Sequence, residues 1–229
     1  LITADRAVSM GDGDDADRVE ISNSGRIIGE DVALDLDALD SRIVNSGLLQ
    51  ARNDSFSAVS IGIDVIVPPG QIVDPNVQVP VFNTWTINSG EIIGAEIACK
   101  CFDQDDRLVN TGQIVGDVDM GAGDDHYRGR QGRGEGSVDG GLGEDVLVGG
   151  GEENTLIGGG ADDRLRGRGG DASLAGDQGD DTLDGGGGDD ALSGGVGEDI
   201  LRGRAGDDSL AGGDNVDLLL GQGGADILA

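Results

Sequence analysis

Eight aspartates, Asp145, Asp163, Asp181, Asp190, Asp199, Asp208, Asp217 and Asp226, stand at multiples of one short interval in the last part of the chain. Asp125 takes the equivalent place in an outlying stretch, "MGAGDDHYR" at 120–128. Carboxylates at fixed spacing, among glycines that allow tight turns and leave carbonyls free, supply an all-oxygen donor set. Such a set suits a hard divalent cation of the calcium type. Other chemistries are poorly supplied. His126 is the one histidine, so neither a zinc cluster nor a Ser-His-Asp arrangement assembles, and it reads as a solvated turn residue. Acidic pairs are too abundant to single out a general acid and base. The glycine turns carry acids where a phosphate cradle would need cations. Cys99 and Cys101, in "CKC", fall on one strand face about 6.6 Å apart, at the limit for a disulfide. Buried core thiols are the expectation there, with a metal or redox pair as the alternative.

A repeat positions the aspartates. From Gly140 the chain divides into ten nonapeptide units that end on Ala229. The first position is always Gly and the eighth always Leu, from Leu147 to Leu228. The sixth is Asp except at Asn154 and Ala172, and the fourth is Gly except at Glu152, Ala161 and Asn215. An extra pair, Gly129 and Arg130, shifts the register before a degenerate unit, "QGRGEGSVD". The pattern is G-G-x-G-x-D-x-U-x. Residues 140–229 closely resemble the hemolysin-type calcium-binding nonapeptide repeats of RTX proteins, with 120–128 as an outlier.

The resemblance implies a parallel β-roll, in which the first six positions turn, the last three form a strand and two units complete a coil. Alternate units, which share a side, would stack at about 4.8 Å. A cation midway would sit about 2.4 Å from ligands above and below, within the Ca2+ range and long for Mg2+. The leucines would point inward as a thin core. One leucine per unit buries too little apolar surface to offset the ordering of its unit, and stacked acids repel. A roll unstructured without calcium and folded with it is the expectation. The implied ligands are Asp125, Asp145, Asp163, Asp181, Asp190, Asp199, Asp208, Asp217 and Asp226. Asp163/Asp181, Asp181/Asp199, Asp190/Asp208, Asp199/Asp217 and Asp208/Asp226 place Asp on both layers of a site. Asp145/Asp163 is a sixth pair, bordering irregular units, which makes Asp145 a peripheral ligand. Asn154/Ala172 and Ala172/Asp190 are expected to be weak or empty.

The first half carries a looser repeat: "ISNSGRIIG", "IVNSGLLQA", "TINSGEIIG" and "LVNTGQIVG". The step from Asn23 to Asn45 recurs from Asn88 to Asn110, and the interval from Asn45 to Asn88 is close to two such steps. Alternating apolar residues with an Asn-x-Gly turn predict a right-handed parallel β-helix of about 22 residues per coil, with an asparagine ladder at one corner. These repeats resemble those of autotransporter-like and large bacterial surface proteins. The fold expected is therefore all-β: a parallel β-helix over 1–119, then a calcium-binding parallel β-roll over 120–229, regular from 140. All four prolines fall within 67–80, which reads as an insertion looping out of the solenoid, a spacer or a binding loop. "MGDGDD" at 10 and "MGAGDD" at 120 are near copies separated by a whole number of coil lengths, which suggests isolated calcium turns with Asp15 and Asp125 as ligands.

Composition bounds the function. Forty-five acids against 15 bases give a net charge of −30, which argues against nucleic acid and anionic membrane surfaces. No apolar run reaches the roughly 18 residues of a membrane span. A chain opening at Leu1 reads as a fragment of a longer protein. The function expected is a non-catalytic, calcium-binding structural segment of a secreted or surface-attached bacterial protein. The RTX resemblance implies export through a type I secretion system and folding in extracellular calcium. The alternatives are an accessory repeat region of an extracellular protease, lipase or polysaccharide epimerase, and an adhesin presenting its proline loop to a receptor or polysaccharide.

Overall fold

The computed structural model describes residues 105–129 and 133–229, with backbone alone at 113, 115 and 133–135; before residue 105 it describes the strand backbones alone. The chain is all-β, with no helix among the described residues. Two long sheets, of 14 and 11 strands, run side by side, and every strand pairing is parallel. From Ser137 on, successive strands alternate between the sheets, so each coil of the roll contributes one strand to each. The inward leucines set the register. Leu147, Leu165, Leu183, Leu201 and Leu219 stack in the smaller sheet. Val138, Leu156, Leu174, Leu192, Leu210 and Leu228 stack in the larger. Each leucine thus pairs with the leucine two units on, as a coil of two nonapeptides requires.

From Leu147 to Leu210 each eighth-position leucine is 3% exposed or less, so the core is a double column of single side chains. In the last coil described, Leu228 is 51% exposed. Left-handed backbone recurs at the second position, near the end of a strand (Gly141 and Gly195, φ 100° and 119°), and at the fourth, in the turn that follows (Gly143 and Gly197, 129° and 149°). Among the described residues, the six non-glycine residues with positive φ occupy the same two positions: Arg168, Asp177, Arg204 and Gln222 the second, Ala161 and Asn215 the fourth.

Coil length changes along the chain. Glu20 pairs with Arg42 and Trp85 with Arg107, the longer step of the first half. Arg107 then pairs with His126, His126 with Val146 and Val146 with Arg164, and the step contracts to that of two nonapeptides. Both sheets run unbroken through this transition. Asn23 pairs with Asn45 and Asn88 with Asn110, while Val67 stands opposite Asn88. The interval from Asn45 to Asn88 is thus two coils, and a valine interrupts the asparagine ladder. Asn110 is buried, and its Oδ1 accepts the Gly112 N–H at 3.1 Å, the turn bond that an Asn-x-Gly corner supplies.

The proline segment departs from expectation. Instead of looping out whole, 67–80 contributes two proline-free strands. Gln71–Val73 joins the larger sheet between Leu48–Ala51 and Glu91–Lys100, and Asn76–Gln78 pairs with the latter. Ladder donors are present wherever proline is absent, so these short runs pair. Asp15 and Cys101 lie outside the described residues, as does the side chain of Cys99.

Candidate metal centre

The sixth-position aspartates form ladders at the two corners of the roll where turn meets strand. At one corner the backbone N–H of Asp106 donates to Oδ1 of Asp125 (2.6 Å), Asp125 to Asp145 (2.7 Å) and Asp145 to Asp163 (2.8 Å). The series continues from Asp163 to Asp181, from Asp181 to Asp199 (both 2.8 Å) and from Asp199 to Asp217 (3.0 Å). The opposite corner is shorter. Ala172 donates to Asp190 (2.8 Å), Asp190 to Asp208 (2.9 Å) and Asp208 to Asp226 (3.0 Å). All nine sequence-predicted aspartates therefore stand in one of the two ladders, each reaching back to the coil before it.

One oxygen of each carboxylate is used in this way and the other is not. Asp125, Asp145, Asp163, Asp181, Asp190, Asp199 and Asp208 are at most 2% exposed, and the Oδ2 of each has no hydrogen-bond partner. From Asp145 on, these oxygens point at the first-position glycine of their own unit, whereas the unit of Asp125 has Met120 there. A Cβ on Gly176 would collide with Asp181 Oδ2 and come 2.7 Å from the carbonyl oxygen of Gly194. A Cβ on Gly140 would likewise meet Asp145 Oδ2 and lie 2.7 Å from the Gly158 carbonyl. The invariant glycine thus keeps open a space lined by a carboxylate from one coil and a carbonyl from the next. Buried acceptors facing acceptors cost several kcal/mol unless a cation or a proton lies between them. The donor set, hard oxygens from stacked turns, fits calcium. Among the described residues no three His, Cys, Asp or Glu side chains converge, so each site would draw on one carboxylate per turn complemented by carbonyls.

The departures from the motif show what fills the space otherwise. Asn154 Oδ1 accepts the Gly150 N–H at 2.9 Å. Its Nδ2 donates to the carbonyls of Glu152 (2.5 Å) and Gly167 (3.3 Å). Gly167 O is the counterpart of the carbonyls that face Asp145 and Asp181. The amide thus supplies a donor where an aspartate unit has none. Ala172 is 3% exposed and brings no oxygen. The pairs expected to be weak are those whose donor set is incomplete, and both lie at the same corner.

Burial pushes these carboxyls up, the bonds from the preceding coil's N–H lower them in part, and neighbouring acids push them up again. Asp125 is raised to about 8, Asp145 and Asp163 to about 7, and Asp181 and Asp190 to about 6. Asp199 and Asp208 are raised as well. Each shift is toward the neutral form; a bound divalent ion would act in the opposite sense.

Two features are missed by the nonapeptide frame. Asp106 is 2% exposed and heads the longer ladder, in "DDRLV" at 105–109, a near copy of "DDRLR" at 162–166. Asp145 is consequently an interior rung, flanked by Asp125 and Asp163, rather than a peripheral one. Fifth-position acids form an outer ladder of opposite sense: Asp162 Oδ1 accepts from Asp180 N–H and Asp189 Oδ1 from Asp207 N–H, both at 2.8 Å. His126 opens the strand His126–Gly129 and is exposed, so it belongs to a strand rather than a turn.

Comparison with protein families agrees with this geometry. The family model of the RTX calcium-binding nonapeptide repeat (4 copies) matches residues 139–174, 167–201 and 193–228. No curated protein matches the chain. Residues 139–228 are thus an array of RTX calcium-binding nonapeptide repeats, wound as a parallel β-solenoid whose stacked turns carry the aspartate ladders.

Proposed function

We propose that the chain is a non-catalytic, calcium-binding structural segment of a secreted or surface-attached bacterial RTX protein, exported by a type I system and folded by extracellular calcium. The row of buried, unpartnered Oδ2 atoms carries this reading. Each rung costs free energy until a cation is bound, so calcium affinity and folding are one equilibrium. The proposed ligands are Asp125, Asp145, Asp163, Asp181, Asp190, Asp199, Asp208, Asp217 and Asp226, with Asp106 capping the longer ladder. The coils before residue 105 are proposed as a β-helix of the autotransporter-like kind, whose repeat of apolar residues and asparagines should depend far less on calcium than the stacked acids do.

Circular dichroism of the whole chain, first in chelator and then through a calcium titration to millimolar levels, tests the reading. β signal should rise cooperatively with calcium and fall again when chelator is restored. Equal spectra in the two conditions would overturn it.

A further inference from the structure

The arginines of this acidic chain are sorted onto one face. In the smaller sheet the seventh and ninth positions point outward, flanking each buried leucine. Arg107, His126, Val146, Arg164, Thr182, Ile200 and Leu218 succeed one another in the seventh-position column. Arg128, Val148, Arg166, Asp184, Arg202 and Leu220 form the ninth-position column. Arg168 follows just after the strand Arg164–Arg166, and Arg204 lies near the end of the strand Ile200–Ala205. The larger sheet's outer columns hold Ser137, Thr155, Ser173, Ala191 and Ser209, and Asp139, Ile157, Ala175, Ser193 and Ala211, with no cation. Every arginine with a described side chain thus belongs to one face.

These arginines are not there to neutralise the aspartates. Asp184, 6% exposed, is held by Arg204 and, at 3.2 Å, by Arg166, which staples successive coils. Arg128, Arg164, Arg168 and Arg202 engage no carboxylate among the described residues, although acids outnumber bases three to one in the chain. Arg164 and Arg168 are exposed. Guanidinium groups left unpaired in such a chain are available to an anion from outside.

We propose that this face binds an acidic polysaccharide, an extended chain bearing sugar carboxylates, laid along the solenoid axis. Arg166 and Arg202 stand two coils apart in one column, about 10 Å along the axis, with Arg164 beside the first and Arg204 beyond the second. The stripe is narrow. Fifth-position acids border it on both sides, Asp162, Asp180 and Glu198 before the strands and Asp171, Asp189 and Asp207 after them. A duplex or an anionic membrane is too broad to touch the arginines without meeting those carboxylates; a single polymer chain is not. Because the sheet's backbone groups bond within the sheet, the face offers side-chain tips alone, which suits a ligand recognised by spaced charges rather than by strand pairing.

The test uses the calcium-loaded whole chain and a short galacturonate oligomer, with titration calorimetry as the readout. The oligomer should bind, its fully methyl-esterified form should not, and salt should weaken the interaction. Arg164→Gln/Arg202→Gln, which breaks no ion pair, should weaken binding by about tenfold while leaving the calcium midpoint of folding unchanged. The idea fails if the loaded chain ignores the oligomer, or if the double variant binds it as well as the parent. It fails equally if duplex DNA, poly-aspartate or phosphatidylserine vesicles bind more tightly through the same arginines. The calcium midpoint is read separately, so failure here is distinguishable from failure of calcium-driven folding.

Discussion

The backbone N–H of Ala172 donates to Asp190 Oδ1 at 2.8 Å, yet Ala172 has no carboxylate with which to reach the coil before it. The shorter ladder starts at this broken link. Ala172→Asp would add an oxygen pair between Asn154 and Asp190. At saturating calcium it should bind one more ion and melt at a higher temperature. At low calcium the extra buried carboxylate should lower the melting temperature, by repulsion and desolvation. Melts of both proteins across a calcium series should therefore cross. A variant that gains neither metal nor stability at saturation would mean that units two apart do not share an ion.

First-position glycines differ from others in what a side chain would meet. A methyl on Gly176 collides with Asp181 Oδ2, whereas one on Gly187 meets nothing within 4 Å, and Gly187 has no positive φ. Gly176→Ala should displace the carboxylate and raise the calcium midpoint, with a loss on the order of 1–3 kcal/mol. Gly187→Ala should be neutral or stabilise by about 0.5 kcal/mol through the unfolded chain. Equal calcium midpoints for the two variants would show that the first-position space is not the metal's.

Much of this arrangement is legible in the sequence, because a strict period carries it. Leu147 to Leu228 and Gly140 to Gly221 fix the nonapeptide frame, and with the two units per coil that the RTX resemblance implies the register follows. Asn154 and Ala172 mark the gap, since they fall two units apart and so share a corner. Asp106 is hidden for the opposite reason: the coil from Arg107 to His126 is not a pair of nonapeptides, and Gln104 replaces the fourth-position glycine. The use of Oδ1 by the preceding coil's N–H is a long-range bond that no local motif announces. Arginines far apart in sequence, such as Arg164 and Arg202, look scattered until alternate units are assigned to different sheets.

The length of the longer ladder changes which ligands matter most. Asp145 and Asp181 are both buried interior rungs, while Asp226 lies in the last coil with no rung beyond it in this chain. Asparagine is the apt substitution, because Asn154 shows that a sixth position, at the shorter ladder's corner, accommodates an amide. Asp145→Asn should raise the calcium midpoint as much as Asp181→Asn, and both more than Asp226→Asn. Calcium titrations followed by far-ultraviolet dichroism give the order. If Asp145→Asn behaves like Asp226→Asn, the coils before residue 140 do not support the ladder.

Acid should partly replace calcium. Burial raises Asp125 to about 8, Asp145 and Asp163 to about 7, and Asp181 and Asp190 to about 6, all above the ordinary carboxyl value. The folded roll therefore binds protons more tightly than the unfolded chain. Its metal-free stability is fully present below about pH 4, and is lost as pH rises through about 6 to about 8. In chelator, the chain should show more β signal and a higher melting temperature at pH 5 than at pH 8. Calcium must displace those protons, so the dependence turns over when the ion is present. At a fixed, subsaturating calcium level, melting temperature should climb from pH 5 to pH 8. A chelated chain whose β content does not change between pH 5 and pH 8 would show that the unpartnered oxygens are not where the metal-free roll loses its stability.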